Sequence, residues 1–128
     1  MLKPGGCSCT GANLDRLLRP AILACLAHSD RHGYGVQQEL DALPMFRGGS
    51  PDLTGVYRAL RDMEAEGLVA GDWDTPEQGR ARRRFRITPD GLDCLARWDQ
   101  TLEAYLAAVK DLRERTKKAL ASRKKRKG

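Results

Sequence analysis

The sequence predicts a mainly α-helical fold with one small β-hairpin, and three observations predict it. Apolar residues recur at helical spacing in three short segments before Gly67 and in one long segment after Pro89. Two strand-like runs, Leu68–Asp74 and Arg83–Thr88, flank a polar loop of turn residues. Two Pro-Asp pairs, Pro51-Asp52 and Pro89-Asp90, each follow a hydroxyl residue and mark helix starts. The order helix, helix, helix, hairpin, long helix is that of a winged helix-turn-helix with a two-stranded wing and a long C-terminal dimerisation helix.

In order along the chain, residues 1–12 are rich in Gly, Ser and Cys, lack periodicity and read as a flexible arm. The winged helix-turn-helix is expected over residues 13–88. Asn13 is a good N-cap, and Leu14, Leu17, Leu18, Ala21, Ile22, Cys25 and Leu26 form the first apolar face. Pro20 either kinks this helix or starts a new one. Residues Ser29–Gly33 read as a turn, and Val36, Leu40 and Leu43 define a second helix that ends at Pro44. The third helix opens at Ser50-Pro51-Asp52, buries Leu53, Val56, Leu60 and Met63, and stops at Gly67. In the second strand Arg82, Arg84 and Arg86 share the side opposite Phe85 and Ile87. Thr88-Pro89-Asp90 starts the long helix, expected as the dimerisation element over residues 89–112. Its stripe of Leu95, Trp98, Leu102, Tyr105, Val109 and Leu112 steps by 3 and 4 as a heptad seam. Residues 113–128 form a basic tail, expected to fray from the helix into disorder.

Composition narrows the function. The 128 residues make one domain, with 41% hydrophobic and 31% charged residues. The longest apolar run, Ala21–Ala27, is far short of the ~20 residues a membrane span needs. No secretory leader opens the chain, so a cytoplasmic location without membrane partners is expected. The net charge of +6 is misleading: residues 113–128 hold nine basic residues and one acid, leaving −2 on residues 1–112. Nucleic-acid binding therefore needs a local positive surface on the body. The candidate is Arg80, Arg82, Arg83, Arg84 and Arg86, five like charges whose repulsion an anionic partner would relieve.

The third helix supplies the second candidate. Thr54, Arg58 and Arg61 fall opposite its apolar stripe, and Tyr57 lies on the border between core and phosphate. A major groove accepts one such helix, and arginines of a neighbouring hairpin reach phosphates. The expected contacts to double-stranded DNA are Tyr34, Ser50, Thr54, Gly55, Tyr57, Arg58 and Arg61 with Arg80, Arg82 and Arg84. The basic tail could add non-specific DNA affinity or act only as a solubilising terminus. No Gly-rich phosphate loop, nucleophile–base motif or H-E-x-x-H occurs, so an enzyme is not expected. The rival reading is a winged-helix protein-interaction module without specific DNA binding.

Four tracts carry a family resemblance: His32-Gly33-Tyr34-Gly35, Thr54-Gly55-Val56-Tyr57-Arg58-Ala59-Leu60, Met63-Glu64-Ala65-Glu66-Gly67-Leu68-Val69 and Phe85-Arg86-Ile87-Thr88-Pro89-Asp90-Gly91. In this order, over residues 14–112, the chain resembles the PadR family of transcriptional regulators, with Phe85 where Tyr is commoner. Asp72-Trp73-Asp74 and Arg97-Trp98 resemble a branch that includes a polyhydroxybutyrate-responsive repressor. The resemblance implies a homodimeric repressor released by a small-molecule or stress signal, and Cys7 and Cys9 add a metal or redox signal as a further option. It also implies that Trp98 could line an effector cavity. No cofactor is expected. Cys7 and Cys9 are open to three readings: an inert arm, a thiol pair that senses oxidants or a thiophilic metal, or part of a metal or iron–sulfur site shared across the dimer. Cys25 and Cys94 read as small buried apolar residues.

Overall fold

The computed structural model describes residues 17–46, 52–74 and 82–127. Helix α1 spans Leu18–His28, strand β1 Arg31–His32 and helix α2 Gly33–Ala42, followed by a 3-10 turn, Pro44–Phe46. Helix α3 spans Leu53–Ala65, strands β2 and β3 Val69–Asp74 and Arg82–Ile87, and helix α4 Pro89–Lys127. The chain divides into two units, residues 1–95 and 96–128.

The first unit is built on one core. Ile22, Leu23 and Leu26 of α1, Val36 and Leu40 of α2, Val56, Leu60 and Met63 of α3, Val69 of β2 and Phe85 of β3 are all buried. Three short helices and a hairpin thus each contribute an apolar face to one centre, as a small domain requires. Pro20 lies in the first turn of α1, where its missing N–H has no intrahelical acceptor to lose. Asn13 and Leu14 lie outside the described residues.

Two elements differ from expectation. The turn at Ser29–Gly33 contains β1, whose Arg31 and His32 pair antiparallel with Phe85 and Arg84. The wing is therefore a three-stranded sheet, ordered β1-β3-β2. Helix α3 is capped by Asp52, whose Oδ1 accepts from the N–H of Gly55 at 2.8 Å, and so begins later than a Ser50 cap would place it. Leu53, expected in the buried stripe, is 36% exposed because it stands in the first turn, at the edge of the core.

The C-terminal end of α3 is closed by paired backbone bonds. Gly67 N–H reaches Glu64 O at 3.0 Å and Leu68 N–H reaches Met63 O at 2.9 Å, with Gly67 at φ +79°. Only glycine adopts this left-handed position without strain. Thr88 then ties the wing's exit to this turn. Its Oγ1 donates to Gly67 O at 2.7 Å and accepts from Gly91 N–H at 3.0 Å, capping α4. A Cβ on Gly91 would overlap the carbonyl oxygen of Leu68, so this approach also requires glycine.

In the second unit α4 continues as helix to Lys127. Residues 113–127, expected to fray, keep helical structure although the apolar stripe has ended. Lys, Arg, Ala and Leu dominate this stretch, and all four are strong helix formers.

Candidate nucleic-acid interface

The buried stripe of α3 turns its other side outward. Thr54, Arg58 and Arg61 are exposed, with Gly55 half-buried beside them. Neither arginine has an ion-pair partner among the described residues. Tyr34 is exposed near the start of α2. Tyr57 is half-buried and behaves as an edge of the core. Its ring meets Phe85 edge-on at 6.2 Å, and it lies so close over Gly33 that a Cβ there would overlap it.

The wing's arginines divide by strand alternation. Arg82, Arg84 and Arg86 lie on the exposed face, whereas Arg83 turns to the side of Phe85. Arg83 is engaged through both terminal nitrogens, while its buried Nε has no hydrogen-bond partner among the described residues. Its Nη1 and Nη2 donate to Glu64 Oε1 and Oε2 at 2.9 and 2.5 Å, and Nη2 also donates to Gly71 O at 2.7 Å. Glu64 Oε2 accepts in turn from Gly71 N–H at 3.0 Å. One carboxylate and one guanidinium thus fasten the end of α3 to both long strands. The Arg83 hydrogen bonds, aided by Gly71, hold the Glu64 carboxyl below the usual carboxylate range, against partial burial. The same pairing raises the Arg83 pKa.

The other charges on the sheet are partly matched. Arg86 Nε stands 3.5 Å from Asp72 Oδ2, and His32 Nε2 stands 3.1 Å from Asp74 Oδ2. The expected mutual repulsion of five arginines is therefore relieved within the chain at Arg83 and Arg86. Arg82 and Arg84 make no ion pair among the described residues. They are the described wing cations left for an external anion.

Between α3 and the wing lies a groove of about 390 Å³ lined by Tyr57, Arg61, Trp73, Arg82, Arg83 and Phe85. Trp73 is 68% exposed, and the Arg83 guanidinium sits 5.9 Å from its ring centre. Sequence reasoning missed Trp73 and the Glu64–Arg83 pair. The alternation that put Arg82, Arg84 and Arg86 on one side already put Arg83 on the other, facing Trp73 across the ladder. An aromatic ring flanked by cations suits packing against a deoxyribose beside a phosphate.

Ser50 and Arg80 lie outside the described residues, as do Cys7 and Cys9. In α4, Leu95 and Trp98 are half-buried, and Leu102, Tyr105, Val109 and Leu112 are exposed. Cys25 and Cys94 are free and half-buried, less enclosed than expected. Burial pushes the Cys25 thiol up, so it is not an activated nucleophile. Among the described residues no set of three His, Cys, Asp or Glu side chains is placed to hold a metal ion. No described helix is long and apolar enough to cross a membrane.

Comparison with known proteins agrees with this fold. Solved structures with the same fold include a PadR-like transcriptional regulator from Bacillus cereus, 23% identical with a TM-score of 0.66, covering 77% of this chain and 93% of that one. A PadR family regulator from Eggerthella lenta is 24% identical with a TM-score of 0.69, covering 82% and 89%. Bacillus subtilis PadR, solved in complex with operator DNA, is 19% identical with a TM-score of 0.58, covering 73% and 60%. No curated protein matches by sequence. Residues 22–97 match the model of the transcriptional regulator PadR-like family, and the chain belongs to that family.

Proposed function

We propose that the chain is a homodimeric DNA-binding repressor, acting in the cytoplasm and released from its operator by a small-molecule, metal or redox signal. The observation that carries the reading is the pairing of two unmatched cationic surfaces. One is the outer face of α3 with Arg58 and Arg61, the other Arg82 and Arg84 on the wing. In this reading α3 enters the major groove, and Thr54, Arg58 and Arg61 read base edges. Arg82 and Arg84 hold phosphates, with Arg80 and Ser50 as further contacts. Trp73 packs against a deoxyribose in the groove between them. The Bacillus subtilis relative bound to operator DNA supports this use of the fold.

The dimer is carried by α4. Its exposed Leu102, Tyr105, Val109 and Leu112 continue the spacing of Leu95 and Trp98, and such a row invites a second copy. Two copies place two α3 helices on a two-fold operator, so half-site spacing follows from the dimer. The effector acts by changing that spacing. Trp98 is the candidate ring for a small molecule, and Cys7 and Cys9 are the candidate thiols for a metal or oxidant. The protein itself needs no cofactor and performs no catalysis.

The test is selection of bound duplexes from a random pool. Enrichment of a two-fold symmetric motif is expected. No enriched motif, with salt-insensitive binding to a protein instead, would replace this reading with an interaction module.

A further inference from the structure

Beyond the seam, α4 changes character while remaining a helix. Residues 113–127 carry nine lysines and arginines against one glutamate. Arg115 is held by Asp111 one turn earlier, Nε to Oδ2 at 2.8 Å. Arg113, Lys117, Lys118, Arg123, Lys124, Lys125 and Arg126 are exposed and make no ion pair among the described residues. Like charges recur four apart at Arg113 and Lys117 and three apart at Arg123 and Arg126, an arrangement that costs helix stability. Cations in a helix's last turn offset its dipole, but that effect fades within one turn and cannot account for the charges at 113–118.

The distribution around the axis identifies the partner. At about 100° per residue, Lys117, Lys118, Arg126 and Arg123 lie roughly 40°, 140°, 220° and 280° from Arg113. The cations encircle the helix, so no apolar face remains to lie on a bilayer or fill a protein groove. What suits such a rod is a dense lattice of fixed negative charge. At about 1.5 Å rise per residue the segment offers one cation per ~2.5 Å, near the duplex density of about one phosphate per 1.7 Å.

We propose that residues 113–127 of α4 are a second, sequence-independent binding element for the phosphates of duplex DNA, distinct from α3 and the wing. The inference rests on the DNA-binding reading above. The element holds the dimer on any duplex without reading bases, raising local encounters with the operator.

The experiment titrates the full-length chain with a random-sequence duplex across a series of salt concentrations. A second protein has every Lys and Arg of residues 117–126 replaced by Gln, a comparable helix former, with helicity checked by circular dichroism. Each phosphate contact removed flattens the slope of log K against log salt by about 0.9, roughly an eightfold difference over a tenfold change in salt. Six cations are replaced; with about half of an encircling set facing one duplex, about three contacts per chain are lost. A slope flatter by about three is therefore expected, whereas Lys-to-Arg exchange at the same positions should leave it unchanged. Equal slopes for wild type and the Gln protein would overturn the inference. So would tighter binding of the wild type to anionic vesicles or single-stranded RNA than to the duplex. Repeating the titration in an Arg58→Ala/Arg61→Ala background separates the two readings. Failure of the operator reading removes the motif from the pool selection and leaves the slope difference; failure of this inference does the reverse.

Discussion

Replacing Glu64 by Gln should loosen the wing from α3 and reveal how much this one pair holds. The substitution keeps the shape but removes the charge that accepts two bonds from Arg83 and one from Gly71 N–H. One amide N–H₂ then faces the guanidinium, donor against donor. Hydrogen bonds to charged groups contribute about 1.5–3 kcal/mol. Both side chains are less than a third exposed, so the attraction is only partly screened. A loss of about 2 kcal/mol follows, a roughly thirtyfold change in the folding equilibrium. Urea unfolding at fixed protein concentration should show the midpoint lowered by about 1–2 M. The effect also has a pH signature. The folded-state pKa of Glu64 is depressed, so its contribution is complete above the unfolded value of about 4.3 and is lost as pH falls through the lower folded value. The gap between wild type and Glu64→Gln should therefore be constant at neutral pH and close in acid. A gap under about 0.5 kcal/mol, or no coupling in a cycle with Arg83→Met, would show that the pair does not fasten the wing.

Three further outcomes are expected. Gly91→Ala should cost more than about 2 kcal/mol, because its Cβ meets the backbone carbonyl of Leu68 and not a movable side chain; thermal unfolding measures it. Leu102→Asp should convert the dimer to monomer in sedimentation, by setting an unpaired charge in the seam. Cys7→Ser/Cys9→Ser should leave the melting temperature unchanged while abolishing any response of DNA affinity to oxidant or thiophilic metal; identical responses in wild type and variant would make the arm passive.

Much of the fold is legible in the sequence because its signals are local. The 3-4-3 apolar spacing of α3, its glycine stop and the Thr88-Pro89 start each lie within a few residues of the structure they specify. Strand β1 is illegible for the opposite reason. Two residues carry no periodicity, and its pairing with β3 joins positions about fifty residues apart. Separation along the chain also hides the Glu64–Arg83 pair, so that Arg83 looks like one more surface charge. The end of α4 departs from expectation because an amphipathic pattern is not a condition for helix: strong helix formers and the Asp111–Arg115 pair favour helix over residues 113–127. For the site, the exposed face of α3 follows from angle arithmetic. Trp73 does not, since its place in the groove depends on how the hairpin folds back over α3.

Labour is divided between α3 and the wing, and comparing sequence preference with salt dependence in four variants tests that division most directly. Arg58→Ala and Arg61→Ala should each reduce discrimination between operator and random duplex by about 1–3 kcal/mol, the worth of one bidentate pairing with a base. Arg82→Ala and Arg84→Ala should weaken both duplexes equally and flatten the salt slope by about 0.9 apiece. The opposite pattern, with wing variants changing the preferred sequence and α3 variants changing only the slope, would contradict it.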